Sequence, residues 1–286
     1  MNDFILTNGV RVPPIGLGAQ GIWESKDAPR SQLFNSIYEI YSYAMESGKC
    51  RLYDTSESYG LNETAMGEAL HDTHKRDNVI IMSKIGNESQ RNGSVRAALE
   101  GSLKRLRTDY LDIYLFHWPQ TGTFVETWLE MEKLYEEGLV KSIGVCNCHK
   151  HHIAAIKRVC HILPMVNEFE VHPLFTQDAL TNYCYAKDIQ VVAYSPLGRM
   201  HDCLMKSNPL RTLSSKYGVS TVQIVLRWHY QHGFISIPRT LSKNHFDEFY
   251  DIEKFELTTK EMAWINSLND NIRLRYNPDT CDFFAL

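Results

Sequence analysis

Residues 79–118, VIIMSKIGNESQRNGSVRAALEGSLKRLRTDYLDIYLFHW, decide the fold class because they join two short apolar runs through an amphipathic segment. The runs at the two ends, 79–85 and 112–118, are rich in the residues that favour buried strands. The segment between them predicts a helix, because four apolar residues share the spacing of one helix face: Val95, Leu99, Leu103 and Leu106. The stretch therefore predicts one strand–helix–strand unit of a parallel sheet.

The same alternation repeats along the chain. Strands are predicted for eight apolar runs: 16–20, 51–56, 79–85, 112–118, 142–147, 165–170, 190–196 and 235–240. Helices are predicted for nine amphipathic segments: 31–47, 62–72, 91–107, 124–135, 149–159, 175–187, 220–232, 242–253 and 259–269. A β-hairpin is predicted before the first strand, because Asn8-Gly9 is a typical two-residue turn.

Eight strands with helices between them, and no flexible linker, predict a closed (β/α)8 TIM barrel. We expect one barrel domain over residues 1–286, preceded by the hairpin. An open doubly wound sheet is the alternative, and residues 16–21 fit its Gly-x-Gly-x-x-Gly pattern. No amphipathic helix begins at the first of these glycines, however, so the barrel is the preferred prediction.

Composition and charge exclude several classes of protein. Apolar residues make up 43% of the 286 residues, which is enough for a large core. Lys and Arg total 30 against 34 Asp and Glu, a net charge of −4 with both signs interspersed. The sequence has no basic stripe of the kind that neutralises nucleic-acid phosphates, so no nucleic-acid partner is expected.

The cysteines and the apolar runs bear on cellular location. Seven scattered cysteines are not typical of a disulfide framework, so reduced thiols are predicted. The start, MNDFILTNGVRVPP, does not resemble a signal peptide, and no run reaches the length of a membrane span. We therefore expect a cytoplasmic protein with no membrane partner.

Polar residues lie where the predicted strands end. Ionisable groups are costly inside a barrel but are tolerated at the carboxyl ends of its strands, where substrates bind. Seven such residues are 21 to 44 positions apart, about one strand–helix unit each, and can converge on one rim: Asp54, Lys84, His117, Asn147, Glu168, Ser195 and Arg239. Taken singly, an Asp after a strand can be a helix cap and a His a core residue, but the set predicts a site.

A metal site is not predicted. Lys84 is a cation that cannot act as a ligand there, and no His-Glu-x-x-His spacing occurs. His149, His151 and His152 are close in sequence, but they lie at a helix start among lysines and are expected to face solvent.

Several blocks in order along the chain resemble the aldo-keto reductase family, and its short-tailed microbial members in particular. RLYDTSESYG at 51–60 places Tyr59 five residues after Asp54, and Lys84 and His117 follow at the ends of later strands. PMVNEFEVHP at 164–173 and VVAYSPLG at 191–198 are also similar to family blocks. The resemblance implies a barrel that binds a nicotinamide cofactor and reduces aldehydes or ketones to alcohols.

The chemistry of Asp54, Tyr59, Lys84 and His117 can also be argued from the residues. Hydride transfer to a carbonyl leaves negative charge on its oxygen, which an acid must protonate. Tyr59 can be that proton donor if the Lys84 cation lowers its pKa. Asp54 would hold Lys84, and His117 would align the carbonyl oxygen. The resemblance implies the same four catalytic roles.

The resemblance also implies how the chain would hold the cofactor. Tyr194 would stack on the nicotinamide, while Asn147 and Glu168 would contact its carboxamide. Glu168 replaces a Gln, and Cys146 a Ser, so we expect a looser grip on this ring. Residues near the rest of the dinucleotide would be Gly18, Ser195, Leu197, Gly198, Arg239, Thr240 and His245.

Cofactor choice and substrate are predicted only in outline. Arg239 and Thr240 match positions that contact a 2′-phosphate, so NADPH is expected to be preferred and NADH to be possible. Trp23 and Trp118 are expected to form an aromatic wall for a small-molecule carbonyl substrate. A monomer is expected. Two alternatives remain: a cofactor-binding regulatory subunit of the same superfamily, and an unrelated barrel lyase in which Lys84 forms a Schiff base.

Overall fold

Parallel strand pairing organises the molecule. The computed structural model describes residues 1–19 and 30–284, and in this part eight parallel strands pair in chain order. The strands β3 to β10 are Gly16–Leu17, Leu52–Asp54, Ile80–Ile85, Ile113–Phe116, Ile143–Cys146, Val166–Glu170, Gln190–Tyr194 and Ile235–Ser236. A parallel bridge between Ile15 and Ser236 joins the last strand to the first, so the predicted (β/α)8 barrel is confirmed.

The predicted hairpin precedes the barrel. Its strands β1, Phe4–Ile5, and β2, Arg11–Val12, are antiparallel. Gly9 has a φ of +87°, a left-handed conformation that favours glycine in the turn. The Asn8 amide donates to the Lys141 carbonyl oxygen at 2.8 Å, just before β7 begins. The hairpin therefore lies at the amino-terminal end of the strands, opposite the predicted site.

Helices fill the intervals between the strands. In chain order, α1 to α12 are Arg30–Ser47, Asn62–Thr73, Asn87–Arg91, Val95–Leu106, Phe124–Glu136, Lys150–Lys157, Asp178–Tyr185, Asp202–Met205, Asn208–Tyr217, Thr221–Gln231, Lys243–Phe249 and Thr259–Asn266. The predicted helix 91–107 corresponds to α4, which begins at Val95, because Gly93 with a φ of +64° separates it from the short helix α3, which was also not predicted. The helices α8 and α9 were not predicted.

The barrel strands are buried on both faces, as their continuous apolar sequences require. The largest fully buried side chains include Trp128 and Trp228 of the surrounding helices and Tyr53 and Tyr114 of the strands. Lys84 is buried as completely as they are. Since a buried ammonium group needs compensating partners, the barrel interior at Lys84 must contain them.

Two further observations concern the described residues. No helix among them combines the length and the apolar character needed to cross a membrane. All seven cysteines lie in the described part of the chain and none forms a disulfide, as expected from their scattered positions.

Candidate active site

Three successive strands and one turn bring together the four residues predicted to act in catalysis. Asp54 ends β4, Lys84 lies near the end of β5, and His117 directly follows β6. Tyr59 lies in the turn after β4, where its backbone N–H donates to the Ser56 carbonyl oxygen at 3.0 Å. Adjacent parallel strands end at the same edge, so these side chains meet at the carboxyl end of the barrel.

Lys84 is held between the carboxyl groups of Asp54 and Glu168. Its Nζ donates to Asp54 Oδ1, and also to the Thr55 carbonyl oxygen at 3.0 Å. One Glu168 oxygen lies 3.2 Å from the same nitrogen without an aligned hydrogen bond. Burial lowers the pKa of Lys84, but the negative charge of Asp54, to which Glu168 adds when it is ionised, outweighs burial and raises the pKa well above its usual value. Lys84 is therefore a buried cation and is poorly suited to act as a Schiff-base nucleophile.

The polar atoms of Tyr59 and His117 lie close together. The Tyr59 hydroxyl lies 3.3 Å from His117 Nε2, and the two rings meet edge to face. On its other side, His117 Nδ1 lies 3.4 Å from Ser56 Oγ, which fixes the ring. Burial, together with the positive charges of Lys84 and Arg275, lowers the pKa of His117 to about 3. A neutral imidazole and a phenol hydroxyl thus face the position where a carbonyl oxygen could accept two hydrogen bonds.

The acidity of Tyr59 differs from the sequence-based expectation. Burial raises the pKa of its hydroxyl, and the negative charges of Asp54 and Glu168 add to that effect. Lys84, whose Nζ lies 5.4 Å from the centre of the ring, acts in the opposite direction as expected. The net pKa is well above the ordinary value, so the expected lowering is wrong for the protein alone. Tyr59 therefore keeps its proton at neutral pH.

Glu168 is a second buried acid beside the ion pair. Only 2% of its surface is exposed. Burial and the neighbouring Asp54 raise its pKa to about 8, even though Lys84 acts to lower it. The group is therefore mostly protonated at pH 7, whereas the expectation of a looser grip on the nicotinamide assumed an ionised side chain. A protonated carboxyl can donate a hydrogen bond as well as accept one, as the amide of a Gln can.

Asn147 connects the ends of three strands. Its Nδ2 donates to the His117 carbonyl oxygen at 2.9 Å, and the Tyr194 hydroxyl donates to its Oδ1 at 2.7 Å. Asn147 has a φ of +60° and Ser195 a φ of +47°, left-handed conformations that non-glycine residues adopt rarely. Such strain is concentrated at functional sites, and both residues were predicted to bind cofactor.

A cleft of about 280 Å³ opens beside these residues. Eight residues of the predicted site line it: Gly18, Asp54, Tyr59, Glu168, Tyr194, Ser195, Leu197 and Arg239. A Cβ atom at Gly18 would lie 2.7 Å from the Ile237 carbonyl oxygen, so only glycine fits where the two backbones meet. Arg199 and Arg275 also line the cleft and were not predicted. Arg199 follows VVAYSPLG directly, which could have been a signal, whereas nothing local distinguishes Arg275.

Three other predicted cofactor residues do not line the cleft. Gly198 has a φ of +53°, and a Cβ atom there would lie 2.9 Å from the Leu204 side chain. Thr240 Oγ1 accepts from the Ser242 N–H at 2.9 Å, and this contact shapes the turn before α11. His245 is exposed in the first turn of α11.

The predicted aromatic wall is described in part. Trp118 is 5% exposed and contacts two rings of the carboxyl-terminal tail, Tyr276 at 6.4 Å and Phe283 at 6.3 Å between ring centres. The tail therefore completes a wall that was expected to be formed by Trp118 and Trp23. Trp23 lies in 20–29, outside the described residues.

The histidines at the start of α6 only partly match the expectation. His151 is exposed, but His152 is 8% exposed, and their Nε2 atoms lie 3.1 Å apart, near Asp279 of the tail. The backbone N–H of His149 donates to His152 Nδ1 at 3.1 Å. The neutral His152 ring therefore carries its proton on Nε2, which opposes metal binding through that atom. That the protein has no metal site stays a prediction.

The chain is similar to proteins of one family along almost its whole length. The sequence model of the aldo/keto reductase family matches residues 14–270. A 9,11-endoperoxide prostaglandin H2 reductase of Trypanosoma cruzi is 36% identical over 97% of this chain and 95% of its own length. A glyoxal reductase of Bacillus subtilis is 37% identical over 96% of this chain and 95% of its own. The crystal structure of a Bombyx mori aldo-keto reductase in complex with NADP has a TM-score of 0.85 at 28% identity, with 97% and 95% coverage. The chain belongs to the aldo/keto reductase family.

Proposed function

We propose that this protein is an NADPH-preferring reductase that converts aldehydes or ketones to alcohols, with Tyr59 as proton donor. The observation that carries the proposal is the 3.3 Å contact between the Tyr59 hydroxyl and His117 Nε2 beside the buried Lys84 ion pair. Relatives named as reductases, among them a glyoxal reductase and a methylglyoxal reductase, support carbonyl reduction.

The cleft residues fit a nicotinamide dinucleotide. Tyr194 offers a flat ring at the floor, and Gly18 leaves backbone space that a side chain would fill. Arg199 and Arg239 offer cations for phosphate groups. Glu168 also lines the cleft, and its Oε2, which lies 3.2 Å from Lys84 Nζ, has no aligned hydrogen bond, so a carboxamide could pair with this side chain. When bound, the nicotinamide supplies the hydride.

The residues of this chain then carry the proton. His117, as a neutral imidazole, and the Tyr59 hydroxyl hold the carbonyl oxygen, which leaves the carbonyl carbon open to the hydride. As negative charge develops on that oxygen, Tyr59 gives it the phenolic proton, and Lys84 stabilises the phenolate that remains. Asp54 keeps Lys84 charged and in place. Water then restores the proton to Tyr59.

Cofactor preference rests on the corner formed by Arg239 and Thr240. A guanidinium near a 2′-phosphate makes a charge-assisted contact that NADH cannot offer. We infer that NADH is used with lower efficiency. The site is assembled from residues of one chain, so we also propose that the barrel domain is active as a monomer. Its unpaired thiols favour a reducing compartment such as the cytoplasm.

A panel of aldehydes and ketones tests the proposal, with loss of nicotinamide absorbance measured separately with NADPH and with NADH. We expect turnover on several small carbonyls and a higher kcat/KM with NADPH. Tight NADPH binding without turnover on any member of the panel would instead support the regulatory alternative. Size-exclusion chromatography with light scattering at assay concentration tests the monomer.

A further inference from the structure

Arg275 is held at the cleft by its backbone. The N–H groups of Leu274 and Arg275 donate to the two oxygens of Glu170, at 2.7 Å and 3.0 Å. Glu170 is fully buried at the end of β8 and is also 3.0 Å from His172 Nε2. A carboxylate anchored inside the barrel thus fixes the tail where it crosses the cleft, and the Arg275 side chain is directed by this anchor.

The Arg275 guanidinium has no acidic partner among the described residues. It lines the same cleft as Tyr59 and Tyr194, and it is half-buried. Its ring contact is with the neighbouring Tyr276, 5.8 Å from the ring centre. Its charge also reaches the reacting end: it adds to the burial that lowers the pKa of His117, and it opposes the burial that raises the pKa of Tyr194. A cation that faces a cleft without a partner favours an anionic ligand.

The position of Arg275 separates it from the arginines suited to the cofactor phosphates. Arg199 and Arg239 lie on the loops after β9 and β10, which the family resemblance assigns to the dinucleotide. Arg275 instead comes from the tail and lies beside Tyr276, whose ring contacts Trp118. It is therefore on the substrate side of the cleft.

We propose that Arg275 binds a carboxylate of the substrate, so that the preferred substrates are aldehydes or ketones carrying a carboxylate on an apolar or aromatic body. The proposal rests on the reductase function proposed above and names its substrate class. Arg275 is a specificity-determining residue, because a guanidinium pairs with a carboxylate through two parallel hydrogen bonds. Trp118 and Tyr276 cover the body of the substrate between the carboxylate and the carbonyl.

Two aldehydes of the same shape test this proposal: 4-carboxybenzaldehyde, which is an anion, and its neutral methyl ester. We expect the wild-type enzyme to favour the anion in kcat/KM by about 10-fold, the effect of one partly exposed charged hydrogen bond. Arg275→Met should bring the ratio close to one, mainly through KM, and Arg275→Lys should keep part of it. Equal kcat/KM for both aldehydes in the wild-type enzyme would overturn the proposal.

Arg273 provides a matched control in the same tail. Its guanidinium packs on the Phe175 ring at 4.6 Å and lies near His149, facing another cavity. Arg273→Met removes the same charge from the tail, and we expect it to leave the ratio of the two aldehydes unchanged. A loss of preference as large as that of Arg275→Met would mean that general charge, and not a subsite, attracts the anion.

Two binding measurements distinguish a substrate-binding role of Arg275 from a cofactor-binding role. NADPH titration by fluorescence should give the same Kd for the wild-type enzyme and for Arg275→Met. If Arg275→Met instead bound NADPH about 10-fold more weakly and lost kcat/KM equally on both aldehydes, Arg275 would be a cofactor-binding residue and the proposal would be overturned. Terephthalate, a dicarboxylate without a reducible carbonyl, should bind the wild-type enzyme with NADP⁺ in calorimetry and bind Arg275→Met about 10-fold more weakly. Terephthalate binding without reduction of either aldehyde would reject the reductase function and keep the anion subsite.

Discussion

The floor and the rim of the cleft are built in opposite ways. On the floor, Lys84 and Asp54 form an ion pair with 0% and 3% of their side chains exposed. On the rim, Arg199 and Arg239 are exposed and Arg275 is half-buried. Charges interact strongly in a dry interior, whereas water and salt screen exposed charges. The floor should therefore control the chemical step, and the rim should control which cofactor and substrate bind.

The largest effect should come from the floor, through Tyr59→Phe. This change keeps the ring, which is 5% exposed, but removes the hydroxyl beside His117. General acid catalysis contributes about 100- to 10,000-fold, so kcat should fall by that order. NADPH affinity should stay close to the wild-type value. Steady-state kinetics and a fluorescence titration measure the two quantities.

Tyr38→Phe is the control for loss of a tyrosine hydroxyl. Tyr38 lies on α1, where its hydroxyl donates to Asp72 at 2.8 Å, away from the cleft. Its removal should leave kcat unchanged. Lys84→Met affects the same proton transfer as Tyr59→Phe. The fall in kcat of the double variant should therefore be much smaller than the product of the two single falls. Unchanged turnover in Tyr59→Phe, or fully multiplicative losses, would contradict the proposed roles.

Lys84→Met should also destabilise the fold, which sharpens the contrast between buried and exposed pairs. Removal of the ammonium leaves Asp54 buried without its partner, and a broken buried ion pair costs about 3–5 kcal/mol. The free energy of unfolding, measured in urea, should fall by that amount. Adding Asp54→Asn should recover part of the loss, because the unpaired charge is then gone.

Lys206→Met tests the exposed side of the same comparison. Lys206 pairs with Asp202 at 2.7 Å, but 72% and 74% of these side chains are exposed. Water already solvates both charges, so loss of the pair should change stability little. Similar losses for Lys84→Met and Lys206→Met would show that burial does not distinguish the two pairs.

The sequence predicts the fold where the pattern is local. The strand–helix alternation gives the order of the barrel strands, because each unit repeats the same period. The helix Asn208–Tyr217 was missed although Pro209 stands at its start and Gly218, with a φ of +66°, at its end. These are ordinary signals for the two ends of a helix. The apolar pattern of this helix is short, so only the signals at its two ends could have predicted it.

The site residues that directly follow strands could be predicted from the sequence. The residues whose placement or protonation depends on contacts distant in the sequence could not. Asp54, Lys84 and His117 converge because parallel strands end together. The place of Arg275 depends on Glu170, which is 105 positions away in the sequence. The protonation of Glu168 depends first on its burial and then on its distances from Asp54 and Lys84, which no spacing in the sequence reveals. The raised pKa of Tyr59 has the same origin, since burial outweighs the one cation.

Glu168 is buried beside the ion pair of the floor and should give a smaller, pH-dependent effect. Its pKa of about 8 means that it is neutral below pH 8 and ionised above it. The ionised form adds negative charge near Tyr59 and raises the pKa of that hydroxyl further, which weakens the proton donor. We expect kcat of the wild-type enzyme to fall by up to about 10-fold between pH 7 and pH 9, in step with this ionisation.

Glu168→Gln cannot ionise, so its kcat should stay level over the same pH range. Its value at pH 7 should be close to that of the wild-type enzyme, because Glu168 is then mostly neutral as well. The comparison requires kcat at saturating NADPH and carbonyl at each pH, with circular dichroism to confirm the fold. A parallel decline in both enzymes would assign the pH dependence to another group and separate Glu168 from the chemistry.

The smallest effects should come from the exposed corner at Arg239, where each contact is screened by water. Arg239→Met should lower the NADPH to NADH ratio of kcat/KM by about 5-fold, because only the 2′-phosphate loses a cation. His245→Arg adds a guanidinium in the first turn of α11 and should raise the ratio by about 2- to 5-fold. Turnover with NADH should be the same in both variants, since neither change reaches the floor. The measurement is kcat/KM for each cofactor at 0.05 M and at 0.5 M salt. Both effects should be smaller at 0.5 M salt, because the Debye length there is below about 5 Å and the charges are screened. A loss of NADH turnover in Arg239→Met would show that this residue contributes to the chemical step. It would contradict the assignment of the chemical step to the floor and of cofactor choice to the rim.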